Sequence, residues 1–423
     1  CVCGCDALRI DYENQTATVA GHVIKAGDML SLDGTTGRVI LGSVPVVDAV
    51  FSKEYDQVLK WADSLSRMKV RANADTPEDA ERARAFGAQG IGLTRTEHMF
   101  MGADRLPHVQ RMILAETPEE RVEALSHIQK MQEDDFYGIL KAMHGFPVTI
   151  RLLDPPLHEF LPNYESVLVE VVELRITGKD PQRLADQEKL LAKIREMHEF
   201  NPMLGHRGCR LGITHPDVYD MQVRAVLNAS VRLTREGFKV LPEIEIPLTI
   251  DFHEMDFFKT RIDAMAKELM IKENVHFEYS VGSMIEMPRA ALLAGELAEI
   301  SDFFSFGTND LTQTTFGFSR DDAEGKFMDA YLEKRILKDN PFIILDRRGV
   351  GQLMRMTVEA GRTAKPDLLI GICGEHGGEP HSIDFCHQIG LDFVSCSPFR
   401  VPVARLAAAQ ANVAGAEAAT SSK

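Results

Sequence analysis

From Lys69 onward the chain repeats one pattern, and nothing else in it constrains the fold as strongly: a short β-rich run, then a long amphipathic stretch. The runs are KVRAN, IGLTRTE, VTIRLLD, the region around MLGHRGC, KVLPEIEIP, YSVGSMIEM, FFSFGTND and LLIGICGE, with a late ninth, DFVSCSP. Between most of them lie helical stretches such as DVYDMQVRAVLNASVRLTREG and PRAALLAGELAE. In DTPEDAERARAFG, Thr76-Pro77-Glu78 opens a helix and Gly87 closes it. Strand–helix alternation implies a parallel sheet. Eight such units imply an α/β fold, a closed (β/α)8 TIM barrel whose active-site residues gather at the C-terminal strand ends. A doubly wound open sheet is the competing architecture.

What precedes the barrel reads differently. Residues 1–47 are short β segments, with two strands around the turn Glu13-Asn14-Gln15 and further apolar runs punctuated by Gly27-Asp28, Asp33-Gly34 and Gly37. Residues 48–68 are helical in pattern and form a linker, and 69–423 form the barrel domain. The chain opens at Cys1 inside what reads as a strand, so a longer parent protein is expected. The Ala-rich tail from about Ala407 reads as a terminal helix.

Composition narrows the function. Hydrophobic residues are 44% and charged residues 26%, which excludes a disordered, collagen-like or disulfide-scaffold chain. There is no run of 18 apolar residues, so no transmembrane helix is expected. The net charge of −16 argues against nucleic acid as a partner, since that needs a basic face. An anionic substrate therefore needs a local cluster of arginines and a metal. Seven cysteines, an odd number, point to a reducing compartment. Cys1, Cys3 and Cys5 are spaced to share one face of a strand and read as buried strand cysteines rather than a metal site.

Polar residues stand where the apolar runs end: Arg95 and Glu97, Arg151 and Asp154, His206, Arg207 and Arg210, Glu286, Asn309 and Asp310, then Cys373, Glu375 and His376. Each has a plainer use. A strand-end arginine is often a structural ion-pair partner. Glu286 is three residues from Arg289, Asn309-Asp310 fit a cap for a helix starting at Leu311, and a lone cysteine is more often a small buried hydrophobe. In a barrel, though, all of them converge on one mouth. Several arginines with two or three carboxylates suit a phosphate-bearing anion and a hard cation such as Mg2+.

At these residues the sequence resembles the C-terminal part of the pyruvate, phosphate dikinases, a branch of the phosphoenolpyruvate (PEP)-utilising superfamily. The stretches are GIGLTRTEHMF, RLLDPPLHEFLP, NPMLGHRGCRLGITHP, VGSMIEMPRAAL, FFSFGTNDLTQTTFGFSRDD, GICGEHGGEP and VSCSPFRVPVARLAAAQ, in family order over nearly the whole chain. TNDLTQ and CGE are shared across the superfamily, whereas RLLDPPLHEFLP and GHRGCRLGITHP look like the dikinase branch. The resemblance implies a parent that converts ATP, phosphate and pyruvate to AMP, pyrophosphate and PEP. In it a swivelling phosphohistidine domain shuttles the phosphoryl group between an ATP-grasp domain and the barrel. Residues 1–47 resemble the closing part of that swivelling domain. The family's phosphohistidine segment and ATP-grasp domain do not occur in this sequence.

The same resemblance implies site roles. Arg95 and Arg151 grip the phosphoryl group, Glu286 and Asp310 ligate Mg2+, and Gly307, Thr308, Asn309 and Asp310 line the substrate site. Arg320 is a further contact on the anion, and Cys373 is the acid/base at the methylene carbon. A homodimer is typical of the family. A PEP synthase and a non-catalytic PEP-binding or dimerisation module remain the alternatives. Cytoplasm or an organelle lumen is the expected location. The ending Ser421-Ser422-Lys423 would need a further Leu to read as a peroxisome-type address.

Overall fold

The computed structural model describes Cys5 and residues 7–12, 14–34, 36–46 and 52–421, with side chains to 415. Cys1 and Cys3, the start of the expected linker helix and the final Ser422-Lys423 lie outside the described residues. Cys5 is exposed and in no strand, so the buried-strand reading fails for that thiol.

The chain divides into two units, Cys1–Gln57 and Val58–Lys423. In the first, β1 (Arg9–Asp11), β2 (Thr16–Val19) and β3 (His22–Lys25) form an antiparallel sheet, and β4 (Leu30–Asp33) pairs with β5 (Arg38–Leu41). The β1–β2 turn includes the expected Asn14-Gln15, where Gln15 takes a positive φ of 51°, and Glu13 lies outside the described residues. A helix follows at Lys53–Leu65.

In the second unit the apolar runs become strands because β-branched and aromatic side chains suit a pleated, buried surface. They are β6 (Lys69–Asn73), β7 (Ile91–Arg95), β8 (Pro147–Arg151), β9 (Leu241–Ile246), β10 (Ser280–Ile285), β11 (Phe303–Phe306), β12 (Leu369–Ile372) and β13 (Phe393–Cys396). Each pairs with the next in parallel, and β13 pairs with β6 to close the barrel, which excludes the open sheet. Helix starts follow their caps: Thr76 accepts from the Asp79 amide ahead of Pro77–Ala85, and Gly87 leaves that helix at φ 89°.

One expected strand is absent. The region around MLGHRGC forms a 3-10 turn, Pro202–Leu204, and a helix, Cys209–Thr214. Its glycines break any continuous apolar run, and Gly208 sits at φ 58°. The eighth strand is instead the late run: Phe393 and Val394 are fully buried in β13. PRAALLAGELAE also differs, forming two short helices, Pro288–Leu292 and Ala294–Ile300.

The barrel interior is packed. At its lower end Arg71 pairs with Glu243 at 2.6 Å, Thr149 donates to Glu243 at 2.6 Å, and the Arg71 guanidinium lies 3.8 Å from the Phe393 ring centre. Gly371 is required there, because a Cβ on it would stand 2.2 Å from that ring. All described cysteines are free. Among the described residues no helix is long and apolar enough to cross a membrane.

Candidate active site

Five strands deliver the residues at or just past their ends to one cavity of ≈180 Å3 at the C-terminal face. Arg95 ends β7 and Arg151 ends β8, Glu286 follows β10, Gly307 follows β11 and Cys373 follows β12. Leu93, Asp154, Arg207, Met284, Asn309, Asp310 and Gly374 complete the lining. The volume is below the ~300–1,000 Å3 typical of larger ligands, so it suits a small anion.

The arginines differ in how they are held. Arg151, 7% exposed, is tied to Glu97 and, at 2.9 Å, to Asp154. Arg207 reaches Asp154 at 2.6 Å and Asp310 at 3.1 Å. Burial opposes charge on Arg151, yet Asp154 and Glu97 keep it protonated. Burial likewise opposes the Asp154 charge, and Arg151 and Arg207 hold that carboxyl below its ordinary value. Among the described residues the Arg95 guanidinium makes no ion pair or hydrogen bond. Asp75 fixes its backbone instead, accepting from the Arg95 amide at 2.7 Å. One cation of the cavity is therefore free for an incoming anion.

Glu286 is 2% exposed and accepts from the Leu248 amide at 2.8 Å. Leu248 achieves this at φ 58°, a sparsely populated conformation for leucine. Gly307 is needed opposite, since a Cβ there would stand 2.5 Å from Glu286 Oε2. The plainer pairing fails: Arg289 bonds Asp251 at 3.1 Å, not Glu286. Burial and then Asp310 push the Glu286 carboxyl well above its usual range, and burial raises Asp310 too. Among the described residues no group of three or more His, Cys, Asp or Glu could hold a metal. Two mutually repelling carboxylates nevertheless fit Mg2+, which takes few protein oxygens and completes its shell with substrate and water.

Cys373 is 1% exposed, its Sγ 3.6 Å from the Phe306 carbonyl, and burial pushes the thiol up to about 12. Asn309 and Asp310 do not cap a helix starting at Leu311. The helix runs Thr308–Phe316, and Gly307 holds the cap position.

Two expected residues are not in the lining. The Thr308 hydroxyl is engaged with His376 Nδ1 at 2.8 Å, and Arg320 pairs with Glu375 at 3.0 and 3.1 Å. Two residues given no role from the sequence, Asp154 and Arg207, do line it. Asp154 was legible as a polar group just past a strand end, three residues from Arg151, whereas Arg207 was read at the end of a strand that does not form.

The family model described as PEP-utilising enzyme, PEP-binding domain, matches residues 51–413. Over the aligned stretch, curated relatives are about half identical to the chain. The pyruvate, phosphate dikinase of Rhizobium meliloti (strain 1021) is 50% identical over 420 residues, 99% of this chain and 46% of that protein. That of Clostridium symbiosum is 49% identical over 413 residues, 97% and 46%. The chloroplastic pyruvate, phosphate dikinase of Flaveria bidentis is 53% identical over 412 residues, 97% and 42%. The chain spans less than half the length of these relatives. A match across the whole barrel, to the family whose motifs end its strands, leads to one conclusion: this chain belongs to the PEP-utilising enzymes and carries their PEP-binding domain.

Proposed function

We propose that the chain is the PEP/pyruvate half of a pyruvate, phosphate dikinase. It would transfer a phosphoryl group between a phosphohistidine on a swivelling domain and pyruvate, giving PEP. Residues 1–47 would be the end of that swivelling domain, 48–68 the linker and 69–423 the catalytic barrel, and the parent would act as a homodimer. The observation that carries the reading is the convergence of Arg95, Arg151, Glu286, Asp310 and Cys373 on one small cavity. A site that only bound PEP would have no use for a thiol there.

In this reading Arg95 takes the incoming phosphoryl group, and Arg151, braced by Glu97 and Asp154, meets the charge that develops during transfer. Glu286 and Asp310 would hold Mg2+, with Gly307 and Asn309 giving the substrate room beside them. When bound, the metal supplies Lewis-acid stabilisation of the anionic substrate. In the PEP-consuming direction the O–P bond breaks and histidine takes the phosphoryl group. Cys373, a thiol rather than a thiolate near neutrality, then gives its proton to C3 of the pyruvate enolate. Thr308 acts by holding the Gly307 turn through His376. Arg320 reaches the anion only if its pair with Glu375 opens on binding.

Calorimetry with oxalate, an enolate mimic, tests the site. Binding should require Mg2+ or Mn2+ and disappear in EDTA; equal affinity in both would remove the metal from the reading. ATP should not bind. With a full-length parent, phosphate dependence and pyrophosphate release should separate a dikinase from a water-dependent synthase.

A further inference from the structure

Among the described residues, Gln15, Ala20, Leu248, Asn274 and Arg335 are the non-glycines at positive φ. Four of them are exposed; Leu248, at φ 58°, is 1% exposed. Bulky side chains seldom accept that conformation. Strain of this kind persists where the surroundings over-determine it, and it gathers at functional sites.

The surroundings here can be named. The turn Pro247-Leu248-Thr249 follows β9. On one side the Cys209 amide donates to the Pro247 carbonyl at 3.1 Å, and the Cys209 thiol donates to the Leu248 carbonyl at 3.3 Å. On the other side the Thr249 hydroxyl bonds that of Ser283 on β10. The Leu248 side chain lies on Gly208, where a Cβ would stand 2.9 Å from Leu248 Cδ1. Held in this way, the Leu248 amide donates to Glu286 Oε1 at 2.8 Å.

The bond makes the two Glu286 oxygens unequal. Oε1 receives an N–H dipole, which repels a cation from that side. Oε2 has no hydrogen-bond partner among the described residues and lies against Gly307, in the cavity lining. Turning both oxygens towards one cation would break the Leu248 bond and strand a buried N–H, and leaving a buried donor unpaired is costly. Cations differ in how much this matters. Mg2+ keeps a strict octahedral shell, most of it water and substrate, and needs few protein oxygens. Ca2+ takes six to eight oxygens and often both from one carboxylate.

We infer that Leu248 is a positioning residue that selects the cation: its left-handed turn aims an N–H at Glu286 Oε1, leaves Glu286 a one-oxygen ligand, and so favours small octahedral cations over Ca2+. This rests on the reading of Glu286 and Asp310 as metal ligands. Leu248 is not in the cavity lining and acts only through Glu286. Its side chain has a second use on the arginine side of the site. The Gly208 on which it packs donates to the Asp154 carbonyl at 2.8 Å, and Asp154 pairs with Arg207 at 2.6 Å.

The test uses the full chain with PEP present. Bound Mn2+ is measured by electron paramagnetic resonance and then displaced with Ca2+, which gives the preference as a ratio without any turnover. Asparagine tolerates left-handed backbone, so Leu248→Asn keeps the N–H aimed while losing the contact with Gly208. Its ratio should stay within about threefold of wild type. Valine is β-branched and resists that backbone. Leu248→Val should therefore turn the N–H away and lower the preference for Mn2+ by about tenfold or more. Replacing Leu248 by its α-hydroxy acid makes the amide an ester. It removes the N–H alone, should lower the ratio as far, and decides the matter if Leu248→Val melts too early to be measured. A wild-type ratio in the ester chain overturns the inference. So does a fall in Leu248→Asn as large as in Leu248→Val, which would assign the effect to packing on Gly208. A wild-type chain that binds no Mn2+ would instead refute the metal reading of Glu286 and Asp310, and the inference with it.

Discussion

Replacing each of the two cavity arginines by alanine should give opposite signatures, because one is paired and the other is not. Arg151 is buried against Glu97 and Asp154. Its loss leaves Glu97 with no cation and Asp154 with Arg207 alone. Removing one partner of a buried pair costs about 3–5 kcal/mol. Asp154 keeps a partner, so the lower figure applies, and at roughly 2 °C per kcal/mol for a large domain the melting temperature should fall about 6 °C. Arg95 leaves no carboxylate behind, so Arg95→Ala should melt within about 1 °C of wild type. Its effect should lie in binding: one charge-assisted contact of about 1.5–3 kcal/mol weakens PEP roughly 10–150-fold. Differential scanning calorimetry and PEP titration with Mg2+ read the two axes separately. An Arg151→Ala protein as stable as wild type, or an Arg95→Ala protein that loses stability and keeps PEP affinity, would refute the division of labour drawn from the ion pairs.

Three further outcomes are expected. Cys373→Ser preserves the shape of the site, so oxalate affinity should stay within about threefold while methyl exchange slows by orders of magnitude, measured by NMR in heavy water; unimpaired exchange would make Cys373 a packing residue. Gly371→Ala drives a methyl group into the Phe393 ring and should cost about 1–3 kcal/mol in urea unfolding, and Phe393→Leu in the same protein should recover part of it. His98, hydrogen-bonded to Asp75 at 2.7 Å, has its ionisation raised by that bond. Its stabilisation is therefore full below the ordinary histidine value of about 6.5 and lost as pH rises through the raised one. The melting advantage of wild type over His98→Asn should be present at acid pH and gone in mild alkali; a constant difference would show that the charge is not involved.

The barrel was legible because its determinants are local. An apolar run of four or five residues, a capped amphipathic helix and a closing glycine can each be read within one segment, and eight repetitions leave few arrangements. Lys69–Asn73, Ile91–Arg95 and Phe303–Phe306 appear where periodicity puts them. Local reading failed at MLGHRGC and DFVSC, where short apolar stretches compete and only closure of the sheet decides. Of two candidates, the one able to pair with both β12 and β6 became a strand.

Residue chemistry at the strand ends, and the family motifs that carry it, could likewise be read in order along the chain, so the cavity-lining Arg95, Arg151, Glu286, Asp310 and Cys373 were named before any coordinates. Which of them are paired could not be. Arg207 lies 103 residues from Asp310, and Arg320 lies 55 from Glu375. Those contacts depend on barrel register and on loops whose ends are set by different strands. Glu245 shows the limit most clearly: in LPEIEI it is one of two alternating acids on a strand, indistinguishable from Glu243. Closure pairs Glu243 with Arg71 and leaves the buried Glu245 carboxyl without a hydrogen-bond partner. Burial and partnership are properties of the closed sheet, and no periodicity along a single strand encodes them.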